Sequence, residues 1–266
     1  MQVTDRVCVV TGGASGIGRA MCRRFAADGA RTVVVVDRDA DGATAVAAEV
    51  DGVAVTVDLG DGLAVAAAFA GVEDDLGPVD VLCNNAGIAS GGGVLDAPLD
   101  EWQRQWDVNL MAHVHAVRAL LPGMLARGEG HILHTASMAG ILSTHGNAVY
   151  ATTKHAVVGL AEWLSITYHD QGIRVYLLAP LGVRTPMLGD QADSEWARAA
   201  AGSIVEPETV ADQVTAAFAE ERFLILTDPV AQDWMTFKTT ELEKWLTGMR
   251  KLQQRLEAAG EAGAVS

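Results

Sequence analysis

Tyr150 and Lys154 stand four residues apart in the segment Tyr150-Ala-Thr-Thr-Lys154. In a helix, residues at this spacing share one face, so a phenol and an ammonium would lie side by side. A free tyrosine has a pKa near 10, and a positive charge within about 4–6 Å lowers such a pKa by about one to three units. The pair therefore predicts an acid/base device, with an ordinary exposed helix face as the alternative.

A glycine-rich turn near the start of the chain predicts an anion site. Gly12, Gly16 and Gly18 follow the β-rich segment 6–11 and precede the helix-like segment 19–28. Glycines let the backbone turn sharply and approach a ligand closely, and the N–H groups at a helix start attract an anion such as pyrophosphate. The Gly-x-x-x-Gly-x-Gly spacing differs from the Gly-x-Gly-x-x-Gly fingerprint, so a turn without a ligand is the alternative.

Asp37 ends the next apolar run, nineteen residues after Gly18. A carboxylate at this point can accept hydrogen bonds from the adenosine ribose hydroxyls and would repel a 2′-phosphate. Arg38 could reach a 2′-phosphate, but Ala14 and Ser15 add no positive charge from the glycine turn. The sequence therefore favours NAD over NADP.

Apolar runs alternate with helix-like segments along the chain, which predicts an α/β fold with a parallel sheet and helices on both faces. Ligands bind beyond the carboxyl ends of such strands, where the glycine turn, Asp37, Asp58, the segment 84–87 and Ser137 all fall. The predicted strands cover 6–11, 32–37, 53–59, 79–83, 131–136, 174–179 and 223–227.

The second half of the chain contains longer helical patterns. We predict a two-part helix over 99–127, a helix over 149–170 and a terminal helix over about 230–258. Residues 189–202 lack periodicity, so a substrate flap is expected at about 186–205.

Several side chains in these segments have two interpretations. Met187, Leu188 and Trp196 indicate either a bulky apolar substrate or packing, and His145 either lines the pocket or is a structural loop residue. Trp234 and Trp245 are interpreted as packing or subunit contacts. His113 and His115 point to different helix faces, and we predict no metal site.

Composition limits the class of protein. The 266 residues suit a single domain over 1–266, and no run approaches the roughly 18 apolar residues of a membrane span. A net charge of −15 opposes binding to nucleic acid or anionic lipid. Cys8, Cys22 and Cys83 read as small core residues in a reducing compartment, so we expect a cytoplasmic protein without membrane or nucleic-acid partners.

A set of motifs resembles the short-chain dehydrogenase/reductase family over almost the whole chain. The resemblance implies a Rossmann-type, doubly wound domain with a seven-stranded parallel sheet, assembled as a homotetramer or dimer. It also implies hydride exchange between a nicotinamide and a carbonyl or alcohol carbon. The motifs are Thr11-Gly12-xxx-Gly16-x-Gly18, Asp58-Leu59, Asn84-Asn-Ala-Gly87, Asn109, Ser137 and Tyr150-xxx-Lys154.

The resemblance also assigns roles. Tyr150 would be the general base in oxidation and acid in reduction, and Ser137 would bind the substrate oxygen. Lys154 would bind the nicotinamide ribose and lower the pKa of Tyr150, while Asn109 would hold a water linking Lys154 to solvent. The implied cofactor contacts are Gly12, Ser15, Gly16, Ile17, Gly18, Asp37, Arg38, Asp58, Leu59, Asn85, Ala86, Gly87, Tyr150, Lys154, Pro180, Val183 and Thr185.

Two positions depart from the family pattern. Leu181 stands where the family commonly has glycine, and Tyr176 stands where an asparagine is usual. Because leucine adopts a positive φ only at a cost, the turn after the sixth strand is expected to differ. We predict an NAD-dependent oxidoreductase acting on a secondary alcohol or its ketone. The alternatives are an NADP-linked carbonyl or double-bond reductase on the same scaffold and a non-catalytic NAD-binding protein.

Overall fold

Seven parallel strands form one sheet in the order β3-β2-β1-β4-β5-β6-β7. The computed structural model describes residues 1–189, 194, 197 and 202–258. The strands confirm the predicted doubly wound α/β fold. They are β1 (Val7–Thr11), β2 (Thr32–Asp37), β3 (Val53–Thr56), β4 (Val81–Asn84), β5 (Gly130–Thr135), β6 (Ile173–Ala179) and β7 (Leu224–Leu226).

The chain reverses its winding direction at β1. Cys8 pairs with Val33 of β2 on one side and with Val81 of β4 on the other. A crevice forms outside the carboxyl ends of the strands at such a switch point, because the connections leave in opposite directions. The glycine turn after β1 and the loop after β4 therefore share one crevice.

Helices cover both faces of the sheet and bury it. One apolar cluster lies between the sheet and helices α3, α5 and α7, and the other lies between the sheet and α1, α2 and α8. Strands covered on both faces read as continuous apolar runs, as Val33 to Val36 do. The helices are α1 (Gly16–Ala27), α2 (Ala40–Glu49), α3 (Gly62–Leu76), α4 (Leu99–Trp106), α5 (Ala112–Arg127), α6 (Ala139–Leu142), α7 (Ala148–Tyr168), α8 (Pro207–Glu220), α9 (Val230–Thr240) and α10 (Leu242–Ala258).

The predicted two-part helix over 99–127 divides at a π-helical turn, Asp107–Met111, between α4 and α5. Pro122 lies inside α5, which continues through it to Arg127. Single π-turns occur frequently at functional positions in helices. This one carries Asn109, whose side chain is fully buried.

The predicted terminal helix over 230–258 is corrected to two helices. Glu241 has φ −135° and ψ 51°, outside the helical region, and separates α9 from α10. The ring of Phe237 then meets that of Trp245 edge-on, with centroids 6.0 Å apart. Among the described residues, none of these helices combines the length and apolarity required to cross a membrane.

Candidate active site

A cavity of about 660 Å³ opens at the carboxyl ends of the strands. One end, here called the glycine end, contains Gly12, Ser15, Gly16, Ile17, Asp37, Arg38, Asp58, Leu59, Asn85, Ala86 and Gly87. The other, the helical end, contains Met138, Leu142, Trp234, Phe237, Trp245, Met249 and Leu252. Between them, Ser137, Tyr150, Lys154, Pro180, Val183 and Thr185 line the wall.

The glycine turn fits closely against its neighbours. Gly12 has φ +65°, and a Cβ there would lie 2.8 Å from the Cα atom of Ala86. A Cβ at Gly18 would lie 2.1 Å from the carbonyl oxygen of Gly12, so Gly18 shapes the turn from behind rather than lining the cavity. Among the described residues, the Ser15 side chain caps none of the first N–H groups of α1. An uncapped helix start beside a cavity suits a phosphate group.

Asp37 is fixed at the glycine end by backbone groups. Its Oδ2 atom accepts a hydrogen bond from Ala14 N at 3.1 Å, and its Oδ1 atom accepts one from Asp39 N at 3.1 Å. The carboxylate thus joins the end of β2 to the glycine turn. Its acceptors suit a ribose diol at this point.

The loop after β4 is held by Thr11. The Thr11 hydroxyl accepts hydrogen bonds from Asn85 N at 2.9 Å and Ala86 N at 3.1 Å, and donates to Cys83 O at 3.3 Å. The Asn85 amide donates to Thr11 O at 3.2 Å and accepts from the Thr135 hydroxyl at 3.2 Å. These bonds fasten the ends of β1, β4 and β5 to one another.

The side chains of Tyr150 and Lys154 share one face of α7, as their spacing predicts. The Lys154 ammonium lies 5.6 Å from the centroid of the Tyr150 ring. It donates to Thr135 O at 2.9 Å, and Asn147 Oδ1 caps the helix by accepting from Tyr150 N at 2.9 Å. The phenol and ammonium are therefore positioned by β5 and by the start of α7.

Burial shifts both pKa values at this centre. It lowers the pKa of Lys154 to about 8, because an ammonium loses its hydration there. It raises the pKa of Tyr150, while the Ser137 hydroxyl, placed to bond to the phenolate, opposes that change. The direction of the Tyr150 pKa shift is opposite to the sequence-based expectation, because burial disfavours the phenolate more than the Ser137 hydroxyl favours it.

Asn109 lies behind the cavity wall rather than on it. Its Nδ2 atom donates to Ile88 O at 2.9 Å and to Thr153 Oγ1 at 3.0 Å, and its Oδ1 atom accepts from Ile88 N at 2.8 Å. A Cβ placed on Gly87 would lie 3.4 Å from that Oδ1 and 3.3 Å from Lys154 Nζ. Asn109 thus holds the loop after β4 against α7, beside Lys154.

The turn after β6 requires no positive φ at Leu181. Leu181 keeps a φ outside the left-handed region, and its N–H donates to Thr227 Oγ1 at 3.1 Å. Pro180 O accepts from Met138 N at 2.9 Å, which fixes the turn to the end of β5. Tyr176 is buried in the apolar cluster between the sheet and helices α1, α2 and α8, and its hydroxyl lies 3.2 Å from His131 Nδ1.

The helical end was missed by sequence reasoning. Trp234 and Trp245, interpreted as packing or subunit contacts, both line the cavity. The available signal was a repeat of apolar residues at 245, 249, 252 and 256 on one face of a largely polar segment. Met187 and Leu188 line the cavity too, whereas Trp196 and half of the predicted flap at 186–205 lie outside the described residues.

Comparisons with known proteins agree with this architecture. Residues 6–196 match the family model described as short chain dehydrogenase. The 1-deoxy-11-beta-hydroxypentalenate dehydrogenase of Streptomyces exfoliatus is 38% identical over 240 residues, covering 87% of this chain and 86% of that protein. The meso-2,3-butanediol dehydrogenase of Serratia marcescens is 35% identical over 218 residues, covering 79% and 86%.

A solved structure extends the similarity to three dimensions. The short chain dehydrogenase/reductase from Burkholderia phymatum, in complex with NAD, has a TM-score of 0.84 and 29% identity, covering 91% of this chain and 96% of that one. Family model, relatives and fold agree over most of the chain. This protein therefore belongs to the short-chain dehydrogenase/reductase family of oxidoreductases.

Proposed function

We propose that this oxidoreductase uses NAD to interconvert a secondary alcohol and its ketone, with Tyr150 as the general acid/base. Ser137, Tyr150 and Lys154 share one wall of a cavity whose glycine end suits a dinucleotide, and this arrangement carries the proposal. A hydride leaves a carbinol carbon only as its hydroxyl proton is removed. A proton acceptor and a group that orients the oxygen are therefore both required, and this wall supplies both.

Each residue has a defined task in the proposed mechanism. In oxidation, Ser137 holds the substrate hydroxyl and the Tyr150 phenolate accepts its proton; in reduction, the phenol returns it. Lys154, held by Thr135 O, stabilises the phenolate with its ammonium and binds the nicotinamide ribose. When bound, the nicotinamide donates or accepts the hydride and contributes a positive charge in its oxidised form. Asn109 fixes the neighbouring loop and, by the family resemblance, holds a water that connects Lys154 to solvent.

The glycine end supports NAD as the cofactor. Asp37 presents a fixed carboxylate that suits the adenosine ribose, and the uncapped start of α1 suits the pyrophosphate. Asp58 and Leu59 line the same end and, by the family resemblance, would contact the adenine. Val183 and Thr185 line the cavity and, by the family resemblance, would hold the carboxamide. NADP is the specific rival, because Arg38 lines the same end.

Replacing the phenol tests the mechanism directly. Tyr150→Phe is expected to lower kcat about 10²- to 10⁴-fold, the range that one acid/base group contributes, while NADH affinity stays within threefold. The measurement is NADH-coupled turnover of a panel of secondary alcohols and ketones, with NADH fluorescence for binding. Tyr168→Phe, at the far end of α7, is the matched control. A Tyr150→Phe enzyme with near-normal kcat would exclude Tyr150 as the base.

The same assays separate the rivals. Turnover with NADP at least equal to that with NAD would favour the NADP-linked reductase, and turnover confined to activated double bonds would favour double-bond reduction. NADH binding without turnover across the panel would favour a non-catalytic NAD-binding protein. We further propose a cytoplasmic homotetramer or dimer, which light scattering of the purified protein tests for its oligomeric state.

A further inference from the structure

The two ends of the cavity differ in chemical character. Among the described residues that line it, the charged side chains Asp37, Arg38, Asp58 and Lys154 all belong to the glycine end or the catalytic wall. The helical end consists of thioether, aliphatic and aromatic side chains from α6, α9 and α10, with Met187 and Leu188 beside them. The polar lining residues nearest to it in the chain are Ser143, Thr144 and His145, in the loop before α7.

Helix α10 covers this end with one apolar face. Trp245, Met249 and Leu252 line the cavity, and Leu256 is fully buried one turn further on. Lys251 and Gln254, on the other side of the helix, are exposed. A helix with one such stripe packs that stripe against apolar material, and here part of the stripe faces the cavity.

Two hydrogen bonds hold α9 and α10 against the segments that precede α7. The Nε2 atom of His145 lies 3.1 Å from Met249 O, and because a carbonyl can only accept, the imidazole donates. The Lys238 ammonium donates to Ile141 O, which ties α9 to α6. His145 lies two residues before Asn147, the cap of α7, so the cover is fastened next to the helix that carries Tyr150.

We propose that the helical end selects a bulky, largely apolar secondary alcohol or ketone. This inference rests on the proposed function, since the reacting carbon must lie beside Tyr150. A hydrocarbon skeleton there exchanges water for apolar side chains. A polyol or a short hydroxyketone would leave hydroxyl groups against that wall without partners, which disfavours its binding.

The first test compares two ketones with NADH as the reductant. We expect kcat/KM for 2-decalone, a bicyclic apolar ketone, to exceed that for 3-hydroxy-2-butanone by at least 100-fold. Equal or better turnover of 3-hydroxy-2-butanone would overturn the substrate class while leaving the proposed function intact. No turnover of either ketone, with 2-decalone still quenching tryptophan fluorescence, would contradict the proposed function but support the apolar pocket. If neither ketone were turned over and 2-decalone did not quench tryptophan fluorescence, the inference would be overturned.

A variant on α10 tests the residues. Leu252→Gln places an amide on the apolar wall, and we expect the ratio of kcat/KM for 2-decalone to that for 3-hydroxy-2-butanone to fall at least tenfold. Lys251→Gln, on the exposed side of the same helix, should leave that ratio within twofold. Circular dichroism and NADH affinity confirm that both variants fold. An unchanged ratio in folded Leu252→Gln would show that α10 does not select the substrate.

Discussion

The two ends of the cavity are built by different means. The glycine end consists largely of backbone and short side chains at strand ends, fixed by hydrogen bonds such as those of Thr11 and Asp37. The helical end consists of large apolar side chains, most of them from α9 and α10, which begin 80 and 92 residues beyond Tyr150 in the chain. Backbone geometry determines the shape of the glycine end, and side-chain size determines the shape of the helical end. Substitution at the helical end should therefore change the substrate, whereas substitution at the glycine end should remove the cofactor.

The largest effect is expected where backbone meets backbone. In Gly18→Ala the new methyl would lie 2.1 Å from Gly12 O, so the turn must move. We expect loss of NADH binding by at least 100-fold and a fall in the free energy of unfolding of about 3 kcal/mol or more, the range of severe core overpacking. Isothermal titration with NADH and urea unfolding measure the two quantities.

A second glycine provides the control. Gly71 lies on the exposed side of α3, and a Cβ there has open space around it. Gly71→Ala should therefore raise the free energy of unfolding by about 0.5–1 kcal/mol, the helix-propensity gain, with unchanged NADH affinity. If Gly18→Ala behaved like Gly71→Ala, the glycine end would be more adaptable than its contacts indicate, and the contrast between the ends would fail.

The next effect concerns the ammonium between the two ends. Lys154→Gln removes the charge that we propose stabilises the Tyr150 phenolate, so we expect kcat for alcohol oxidation to fall about 100-fold, equivalent to roughly two pKa units. The acid limb of the pH profile should also move to higher pH, because the phenol becomes harder to ionise. Lys244→Gln, an exposed position on α10, should leave the profile in place. An unmoved limb in Lys154→Gln would show that Lys154 only positions the ribose.

The glycine end was predictable from sequence because its signals are local. A strand, a turn and a helix start lie within about twenty residues, and the order of apolar runs then brings Asp37 and the 84–87 loop to the same edge. The four-residue spacing of Tyr150 and Lys154 is local too. The fold, the glycine turn and the proximity of Tyr150 and Lys154 therefore follow from short-range pattern and from the family resemblance.

The features that the sequence did not predict depend on contacts between residues that are distant in the chain. The segment after 230 breaks at Glu241, and the rings of Phe237 and Trp245 then meet beside the cavity, a contact that their spacing in the sequence does not reveal. The direction of the Tyr150 pKa shift depends on burial, which a residue list does not give. In the sequence the histidine nearest to His113 is His115, whereas the ring that His113 meets in the structure is that of His134 on β5.

A third prediction concerns cofactor choice at the glycine end. Asp37→Ala removes the carboxylate that suits the adenosine ribose and would repel a 2′-phosphate. We expect the ratio of kcat/KM for NAD to that for NADP to fall about 10- to 100-fold, which steady-state kinetics with both cofactors measures. Asp41→Ala removes the same charge from an exposed position in the first turn of α2 and should leave the ratio unchanged. Equal ratios in the two variants would exclude Asp37 as the ribose ligand.

The smallest predicted effect is a pH dependence of the free energy of unfolding, caused by two buried histidines behind the glycine end. His113 and His134 are buried with their Nδ1 atoms 3.0 Å apart. Burial lowers the pKa of His134 to about 3, and burial together with His134 and Lys154 lowers the pKa of His113, opposed by the Ala86 carbonyl. Both imidazoles are therefore neutral in the folded protein at neutral pH.

The sign of the effect on stability follows from these lowered values. Above about pH 6.5 neither the folded nor the unfolded state protonates the pair, so its contribution to stability is complete. As the pH falls from 6.5 towards 3, the unfolded chain binds protons that the folded chain refuses. The free energy of unfolding then decreases by about 1.4 kcal/mol per pH unit for each histidine.

His134→Gln tests whether the buried histidine pair causes this pH dependence. The variant removes one titrating group and one cause of the lowered His113 pKa, so its unfolding free energy should fall less steeply than that of wild type between pH 6.5 and 4. The difference in slope should be about 1.4 kcal/mol per pH unit, measured by urea unfolding at half-unit steps. His155→Gln, on the exposed face of α7, should parallel wild type. Parallel curves for His134→Gln would mean that the pair already titrates in the folded state. Thr135, whose carbonyl oxygen accepts a hydrogen bond from Lys154, directly follows His134 in the chain. A steeper pH dependence of the unfolding free energy in wild type would therefore place the acid-sensitive groups beside Tyr150 and Lys154 rather than in the apolar helical end.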